Sequence, residues 1–284
     1  MVEKVTRKSM IIRPSGRSTD FISPSFGHGC LYNCSYCYMK RHKEEGLDIA
    51  KNTEDILTAI DHHAWFATVD KPNQTHEQYV TYDISCNEDF ALHAKYHEWQ
   101  KIFDFFKNHD RAMGSFATKY VNPALLEYNP EEKIRIRFSL MPQIYADKLE
   151  PNTSSIYERL LAVDKFIEAG YDVHLNFSPV IVNDVYLHFY RKLFNDVNRY
   201  INNKDKVKAE VIFLTHNEGK HDYNLANNLP GEHLLWNPAI QEDKVSQYGG
   251  KNIRYKHDLK AQYIKEWTEL HDEIIPWNKI RYIF

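Results

Sequence analysis

The stretch Phe26-Gly-His-Gly-Cys30-Leu-Tyr-Asn-Cys34-Ser-Tyr-Cys37-Tyr38 holds three of the four cysteines of the chain within eight residues. A disulfide framework uses many cysteines in a small secreted chain, whereas a tight cluster in an enzyme of cytosolic type indicates metal binding or redox chemistry. Structural zinc prefers four ligands in two pairs, and the fourth cysteine, Cys86, lies far along the chain without a partner beside it. Three thiolates spaced C-x3-C-x2-C can each hold one iron of a [4Fe–4S] cluster and leave the fourth iron open. The spacing therefore favours an open iron–sulfur cluster, with zinc as the alternative.

Outward from this loop, strand-like and helix-like stretches alternate, which is typical of βα units around a parallel sheet. Strands are predicted at about 25–29, 78–85, 112–118, 133–140, 172–178 and 207–215, and helices at about 52–68, 91–108, 122–129, 155–169 and 185–202. The helix at 155–169 has the clearest signals, because Ser155 and Glu158 form a capping box and Gly170 stands just past its end.

Two of the predicted strands alternate strictly between apolar and polar residues. The polar positions are Lys133, Arg135, Arg137 and Ser139 in one strand and His174 and Asn176 in the other. A parallel sheet covered on both faces is apolar on both, so strict alternation predicts one wet face. We therefore predict an α/β fold, a partial TIM-like (β/α)6 barrel with a polar lumen, over an antiparallel sheet that faces solvent. Its active site is expected at the C-terminal ends of the strands. The candidate substrate contacts are Arg135, Arg137, His174, Asn176 and His216.

Composition and charge limit the class of protein. The 284 residues are 43% hydrophobic and carry a net charge of −3, so a full core is expected and a global basic field is not. No secretory signal or bilayer-length apolar run is evident, which predicts a cytoplasmic protein without a membrane partner. Turn residues between 230 and 250 predict a loop or hairpin appended to the barrel, and a final helix is expected at about 258–271. The chain is predicted to be a single domain, 1–284, with a barrel core at about 20–220 and a C-terminal extension at about 230–284.

The C-x3-C-x2-C motif, with Tyr36 just before its last cysteine, resembles the signature of radical S-adenosylmethionine (SAM) enzymes. The resemblance implies that Cys30, Cys34 and Cys37 hold a [4Fe–4S] cluster and that the open iron chelates SAM. In that superfamily, reductive cleavage of SAM yields a 5′-deoxyadenosyl radical that abstracts hydrogen from substrate. By the same resemblance, Tyr36 would pack near the adenine of SAM.

Longer strings narrow the resemblance to the spore photoproduct lyase family. They are residues 82–89, 133–139, 149–160 and 280–284, and the likeness extends from about Ile11 to the end. The family is similar in reversing a thymine–thymine adduct in DNA, which implies that Cys86 returns a hydrogen to the substrate radical. The resemblance also implies that Tyr36 and Tyr38 relay hydrogen back to the cofactor, and that Lys119 and Ser139 contact SAM.

The sequence departs from the family pattern at two places. Glu88 stands where family members carry a small hydroxyl residue, and the stretch that corresponds to their Arg-rich lesion-binding hairpin opens with Glu242 and Asp243. A polyanion would be repelled by such acids. The same region still offers an aromatic ring and cations that suit a splayed nucleotide, and the candidate substrate contacts there are Tyr248, Lys251 and Arg254. A second basic patch is formed by residues 40–43.

Three functional hypotheses remain at this point. The leading one is a radical SAM lyase that acts on a thymine adduct or pyrimidine in DNA, with a reducing partner such as flavodoxin or ferredoxin. The alternative keeps the chemistry but has a modified thymine, a small molecule or a peptide as substrate. A third, non-enzymatic hypothesis is a zinc-stabilised nucleic-acid-binding module, since zinc can also use cysteine ligands.

Overall fold

The computed structural model describes residues 1–37, 39–43, 45–67, 70–245 and 251–284, except for the side chains of Lys40 and Arg41. Two residues with predicted roles, Tyr38 and Tyr248, lie outside the described residues, so their roles stay predictions.

The described strands are short at the N-terminus and longer towards the middle of the chain. They are β1 (Val2–Val5), β2 (Arg13–Pro14), β3 (Phe21–Ile22), β4 (Gly27–Gly29), β5 (Leu47–Ala50), β6 (Val80–Asp83), β7 (Ala112–Thr118), β8 (Ile134–Leu140), β9 (Asp172–Val180), β10 (Lys208–Phe213), β11 (Thr215–Asn217), β12 (Gln241–Val245), β13 (Lys251–Tyr255) and β14 (Ile280–Ile283).

The described helices include several single turns. They are α1 (Met39–His42), α2 (Thr53–Phe66), α3 (Phe90–His93), α4 (Trp99–Asn108), α5 (Gln143–Leu149), α6 (Ile156–Glu168), α7 (Tyr186–Tyr200), α8 (Glu218–Ala226), α9 (Glu232–Leu235) and α10 (His257–Ile274), with 3-10 turns at Ala94–Tyr96, Pro123–Glu127 and Lys204–Lys206.

The largest sheet has eight strands in the order β14-β10-β9-β8-β7-β6-β3-β2. Strands β3, β6, β7 and β8 pair in parallel, as do β10 and β14, whereas β2 is an antiparallel edge strand. Only residues 27–29 of the strand predicted at 25–29 form a strand, and the prediction that this strand belongs to the large sheet is wrong. It is β4, which pairs antiparallel with β5 in a separate three-stranded sheet, and β3 takes its place beside β6. The strand β3 was not predicted because two residues give no periodic signal.

The helix predictions are confirmed where amphipathic periodicity is sustained. In α6, the Ser155 hydroxyl accepts from the Glu158 amide at 3.2 Å while the Glu158 carboxylate accepts from the Ser155 amide at 2.6 Å, which is the predicted capping box. Gly170 has a φ of +93° at the predicted stop. The predicted helix at 91–108 is instead broken into α3, a 3-10 turn and α4, and the one at 122–129 is a 3-10 turn. The helix α5 was missed.

Contacts divide the chain into two compact units. The first unit contains residues 1–31, 45–138 and 162–174, and its core includes the packed rings of Phe90, Phe103 and Phe116. The second unit contains residues 32–44, 139–161 and 175–284, and its core includes Phe177, Phe194 and Trp267. No described helix is both long enough and apolar enough to cross a membrane.

Candidate active site

In the first unit, the strand before Cys30 is bonded directly to the loop that carries Cys86. The Gly29 amide donates to the Asn87 carbonyl at 3.0 Å. Cys86 follows β6, half-buried, in the loop that leads into α3. Cys86 therefore follows the second predicted strand, and the next residue of its loop is bonded to the residue before Cys30, while its role as hydrogen donor stays a prediction.

Glu88 is the buried anchor of this loop. Its carboxylate oxygen Oε2 lies 3.0 Å from His93 Nδ1 and 2.9 Å from His97 Nε2, and all three side chains are buried. The Leu31 amide donates to His93 Nε2 at 3.3 Å, so His93 carries its proton on Nδ1 and donates it to Glu88. Burial alone would raise the pKa of Glu88, but His97 and His93 outweigh it and lower that pKa to about 2. The Glu88 carboxylate is therefore ionised and connects the Cys86 loop to the residue after Cys30.

The position of the Glu88 carboxylate also explains why residue 27 is a glycine. A Cβ atom on Gly27 would lie 2.3 Å from the Glu88 carboxylate, so only glycine fits at that position while Glu88 keeps its place. Where the sequence showed only a departure from the family pattern, the structure shows a site that accommodates the larger side chain.

We expect Glu88→Gln to destabilise the protein by about 2 kcal/mol, because the amide loses the charge and leaves a buried NH2 group without an acceptor. The carboxylate oxygen Oε1 has no hydrogen-bond partner in the structure, so no acceptor waits there for the new donor. Because the folded-state pKa lies below the ordinary 4.5, this stabilisation is present above pH 4.5 and is lost as the pH falls towards 2. Urea midpoints at pH 7 and pH 3 measure both effects.

The control for this prediction is Glu127→Gln, at an exposed glutamate of the first unit, which should unfold as the parent does. Equal urea midpoints for Glu88→Gln and the parent at pH 7 would contradict a stabilising role for the Glu88 carboxylate.

Asp89 holds the predicted SAM contact Lys119 beside the same loop. Its carboxylate accepts from the Lys119 amide at 2.8 Å and from the Thr118 hydroxyl at 2.7 Å, and it also caps α3 through the Leu92 amide. The end of β7 is thereby fixed to the segment three residues after Cys86. The role of Lys119 itself stays a prediction.

The polar face of β8 is buried, so the predicted wet face is wrong. Arg135 and Arg137 are 1% and 4% exposed, and Lys133, Ser139, His174 and Asn176 are buried as well. Arg137 bonds Asp83 at 2.7 Å and Arg135 bonds Asp172 at 2.6 Å. Although burial acts to raise the pKa of Asp172, His174 and Arg135 hold it well below its usual range. The alternation of polar and apolar residues therefore predicts a polar face correctly. That face is buried because acidic residues of other strands neutralise its charges.

In the second unit, the residues from Cys34 to Cys37 form a turn, and Ser35 holds this turn in place. The Cys37 amide donates to the Cys34 carbonyl at 3.1 Å. Ser35 donates its amide to the Leu149 carbonyl at 2.9 Å, and its own carbonyl accepts from Asn224 at 2.7 Å. This backbone is therefore held on both sides by other parts of the second unit.

Tyr36 and Ser139, two residues with predicted cofactor roles, belong to one hydrogen-bond chain in the second unit. The Tyr36 hydroxyl donates to Glu150, and Glu150 pairs with Arg159 at 2.7 Å. Arg159 in turn donates to the Ser139 carbonyl at 2.7 Å. Burial and the Glu150 charge raise the pKa of Tyr36 well above its ordinary value, so the phenol keeps its hydrogen.

Glu150 and Arg159 were missed as site residues, as was Asp89. The strings used for the family resemblance, 82–89 and 149–160, contain all three. A charged residue in a short string gives no sign of its burial, and Glu150 and Arg159 are 3% and 0% exposed. Burial of paired charges at this depth is a tertiary property.

The donor set fits an open iron–sulfur cluster. All four cysteines lie in the described part of the chain and none forms a disulfide. Cys30 and Cys34 are buried and Cys37 is half-buried, so the thiols of the motif are shielded from bulk water. Three thiolates at this spacing suit three irons of a cubane cluster, with the fourth left for a ligand.

The predicted substrate contacts of the C-terminal hairpin are paired with acids. The hairpin itself is confirmed as β12 and β13. Lys251 lies 2.8 Å from Glu218, and Arg254 lies 3.0 Å from Glu242. His216, on the neighbouring strand β11, is 1% exposed and bonds Glu232 at 3.0 Å. The structure thus brings Lys251, Arg254 and His216 into one small sheet, but with their charges and polar atoms engaged by neighbours.

Comparison with known proteins gives consistent matches. The family model of spore photoproduct lyase matches residues 3–284. The chain is 25% identical over 285 residues to spore photoproduct lyase of Bacillus subtilis, covering 97% of this chain and 80% of that protein. It is 26% identical over 266 residues to the spore photoproduct lyase of a Geobacillus species, covering 92% of this chain and 75% of that protein.

Solved structures confirm the predicted fold class. A spore photoproduct lyase complexed with dinucleoside spore photoproduct superposes with a TM-score of 0.87 at 20% identity, covering all of this chain and 82% of that one. A variant of a spore photoproduct lyase with bound AdoMet and dinucleoside spore photoproduct gives a TM-score of 0.86 at 19% identity, with the same coverage. The fold is therefore the predicted partial TIM-like barrel, with β3 as its first strand.

Proposed function

The chain belongs to the spore photoproduct lyase family, and from that premise we propose that it reverses a thymine adduct in DNA with Cys86 as the hydrogen donor. It is a radical SAM enzyme of the lyase type whose cofactors are a [4Fe–4S] cluster and SAM. Family membership supports this function over a zinc-stabilised binding module and over a biosynthetic tailoring enzyme.

One observation carries the proposal. In the first unit, the Gly29–Asn87 backbone hydrogen bond joins the Cys86 loop to the end of β4, the residue just before Cys30. A hydrogen donor must lie near the place where the substrate radical forms, and that place is set by the cluster loop. Two further hydrogen bonds, from the Leu31 amide to His93 and between His93 and Glu88, hold the Cys86 loop beside the residue that follows Cys30.

Cys30, Cys34 and Cys37 would hold the cluster. When bound, the cluster and SAM supply a 5′-deoxyadenosyl radical for hydrogen abstraction from the adduct. The protein residues then place the cofactor, shield it and return a hydrogen. We propose that Ser139 and Lys119 help to position SAM, since Arg159 binds the Ser139 carbonyl and Asp89 binds the Lys119 backbone amide.

Cys86 has the chemistry that a hydrogen donor needs. An S–H bond is weak enough to give its hydrogen atom to a carbon radical, which leaves a thiyl radical on the sulfur. We propose that Tyr36, with Tyr38, gives a hydrogen atom to that thiyl radical and regains one from the 5′-deoxyadenosine formed from the cofactor, so that the unpaired electron returns to the cofactor. The Tyr36 phenol is held neutral by burial beside Glu150, so it retains the O–H hydrogen that such a relay requires.

The test of the proposed function is anaerobic. The cluster is reconstituted, SAM and dithionite are added, and three substrates are compared: dinucleoside spore photoproduct, duplex DNA that carries the thymine adduct, and undamaged DNA. We expect thymine to reappear from the two adducts and not from undamaged DNA. Cofactor cleavage to 5′-deoxyadenosine with the adduct left intact would contradict the proposed substrate while leaving the radical SAM chemistry in place.

The pairing of the hairpin charges predicts weak electrostatic attraction to DNA. We expect Glu242→Gln combined with Asp243→Asn to tighten duplex binding about threefold to tenfold at 0.1 M salt, because Arg254 loses its counter-charge and Lys251 loses the more distant of its two acids. The gain should shrink as the salt concentration rises. Fluorescence anisotropy with a labelled adduct duplex measures both effects.

The matched control is Asp196→Asn combined with Glu269→Gln, which makes the same charge change on α7 and α10 in the second unit. Binding that tightens equally in the control would indicate a net-charge effect and would contradict a role for the hairpin.

We further propose that a small reducing protein of the flavodoxin or ferredoxin type supplies the electron and that the enzyme acts in the cytoplasm. The rate of product formation with each donor in place of dithionite tests the first proposal.

A further inference from the structure

Two histidines and a glutamate converge in the second unit, outside the residues used above for radical chemistry. His216 lies in β11, His221 in α8 and Glu232 in α9. Glu232 Oε1 lies 3.0 Å from His216 Nε2 and 2.6 Å from His221 Nδ1, and one ligand atom from each residue lies within 4.8 Å of the other two. We propose that these three side chains form a binding site for a divalent transition-metal ion, with Zn²⁺ as the best fit.

The donor chemistry supports an ion of this kind. Two imidazoles and one carboxylate are the ligand set of open zinc sites, in which a water or another ligand fills the fourth position. Ligands at about 2.1 Å in a tetrahedron lie about 3.4 Å apart, so the oxygen–nitrogen distances of 3.0 and 2.6 Å would widen by about 0.4 and 0.8 Å to admit an ion. A divalent ion would take the place of the two imidazole protons that now point at a single carboxylate oxygen.

The surroundings hold these ligands in position. The ring of His221 stacks on Trp236 at 4.0 Å between centroids, with the two planes 12° apart. Asn224 donates to the other oxygen of Glu232, which leaves Oε1 directed at the histidines. Such outer contacts orient ligands in known metal sites. The His216 side chain is fully buried, whereas that of His221 is 18% exposed, so an ion would enter past His221.

The site is one residue away from the iron–sulfur loop. The Asn224 amide group that bonds Glu232 also donates to the Ser35 carbonyl at 2.7 Å, and Ser35 stands between Cys34 and Cys37. An ion on Glu232 would therefore stiffen the backbone of that loop. This is a structural role for His216, distinct from the substrate contact that its position suggests.

The test measures metal content and does not depend on lyase activity. The full-length, cluster-reconstituted enzyme is equilibrated with micromolar Zn²⁺, desalted, and analysed for zinc and iron together. We expect one zinc per chain in addition to the cluster iron. Glu232→Gln and His221→Ala should each weaken zinc binding at least about a hundredfold and leave the iron content unchanged. His257→Ala, at an exposed histidine of the same unit, should retain zinc.

A second measurement separates this site from zinc on the cysteines. In the full chain with Cys30, Cys34 and Cys37 all replaced by alanine, Co²⁺ should give visible d–d bands without thiolate charge-transfer absorption, and His221→Ala in that background should remove them. Zinc contents that are equal in the parent, Glu232→Gln and His221→Ala would overturn the proposal, as would a cobalt spectrum that does not respond to His221→Ala. Failure of the lyase assay alone has no bearing on either outcome.

Discussion

Replacement of Cys86 by alanine is expected to leave SAM cleavage within about twofold of the parent and to remove more than nine-tenths of the repaired thymine product. The cluster ligands are untouched by this change, whereas the substrate radical loses its nearby S–H donor. The radical should then be quenched by other reductants, which gives side products. Quantifying 5′-deoxyadenosine, thymine and side products by mass spectrometry in one reaction separates the two steps.

Solvent deuterium provides a sharper reading of Cys86. Because a thiol exchanges its hydrogen with water, the parent should place deuterium from ²H₂O in the repaired thymine, and Cys86→Ala should not. Ser85→Ala is the matched control, since the Ser85 amide keeps its bond to Asp83 in that variant. Unchanged product and deuterium content in Cys86→Ala would exclude Cys86 as the donor.

Replacement of Cys30, Cys34 or Cys37 by alanine is expected to abolish SAM cleavage altogether. Each thiolate would hold one iron, and the remaining two cannot complete the three-cysteine ligation that leaves one iron open. Iron and sulfide analysis after reconstitution, together with the absorption of the cluster near 400 nm, measures the loss directly.

Cys86→Ala serves again as the control for this series, because it removes a thiol outside the motif and should retain full iron. Circular dichroism establishes that the alanine variants are folded. Full SAM cleavage by any of the three motif variants would contradict the assignment of the cluster ligands.

The electrostatics of the hairpin bear on how the enzyme holds its substrate. Lys251 and Arg254 each face an acid within 3.0 Å, so little positive charge is left to attract phosphates. Recognition would then depend more on contacts with the damaged bases than on the backbone of a long duplex. Comparing the dinucleoside adduct with adduct-bearing duplex DNA as substrates distinguishes these two contributions.

The sequence by itself determined those features whose cause is local. The spacing of Cys30, Cys34 and Cys37 indicates their chemistry, because ligands a few residues apart reach one cluster whatever the rest of the chain does. The Ser155–Glu158 capping box and Gly170 fix the bounds of α6, because both act within one helical turn. The order of βα units follows from alternating periodicity and predicts the fold class.

Only the tertiary structure decided which charges are buried and what each of them contacts. Glu88 bonds His93 and His97, which lie five and nine residues further along the chain. Glu150 bonds Tyr36, from which it is separated by 114 positions in the sequence. The polar face of β8 was expected to be wet because alternation does not show that Asp83 and Asp172 neutralise it. Burying a charge costs free energy unless a partner is in place, and the partner is set by strand pairing and packing. For that reason the residues that position this site could be recognised only in the folded chain.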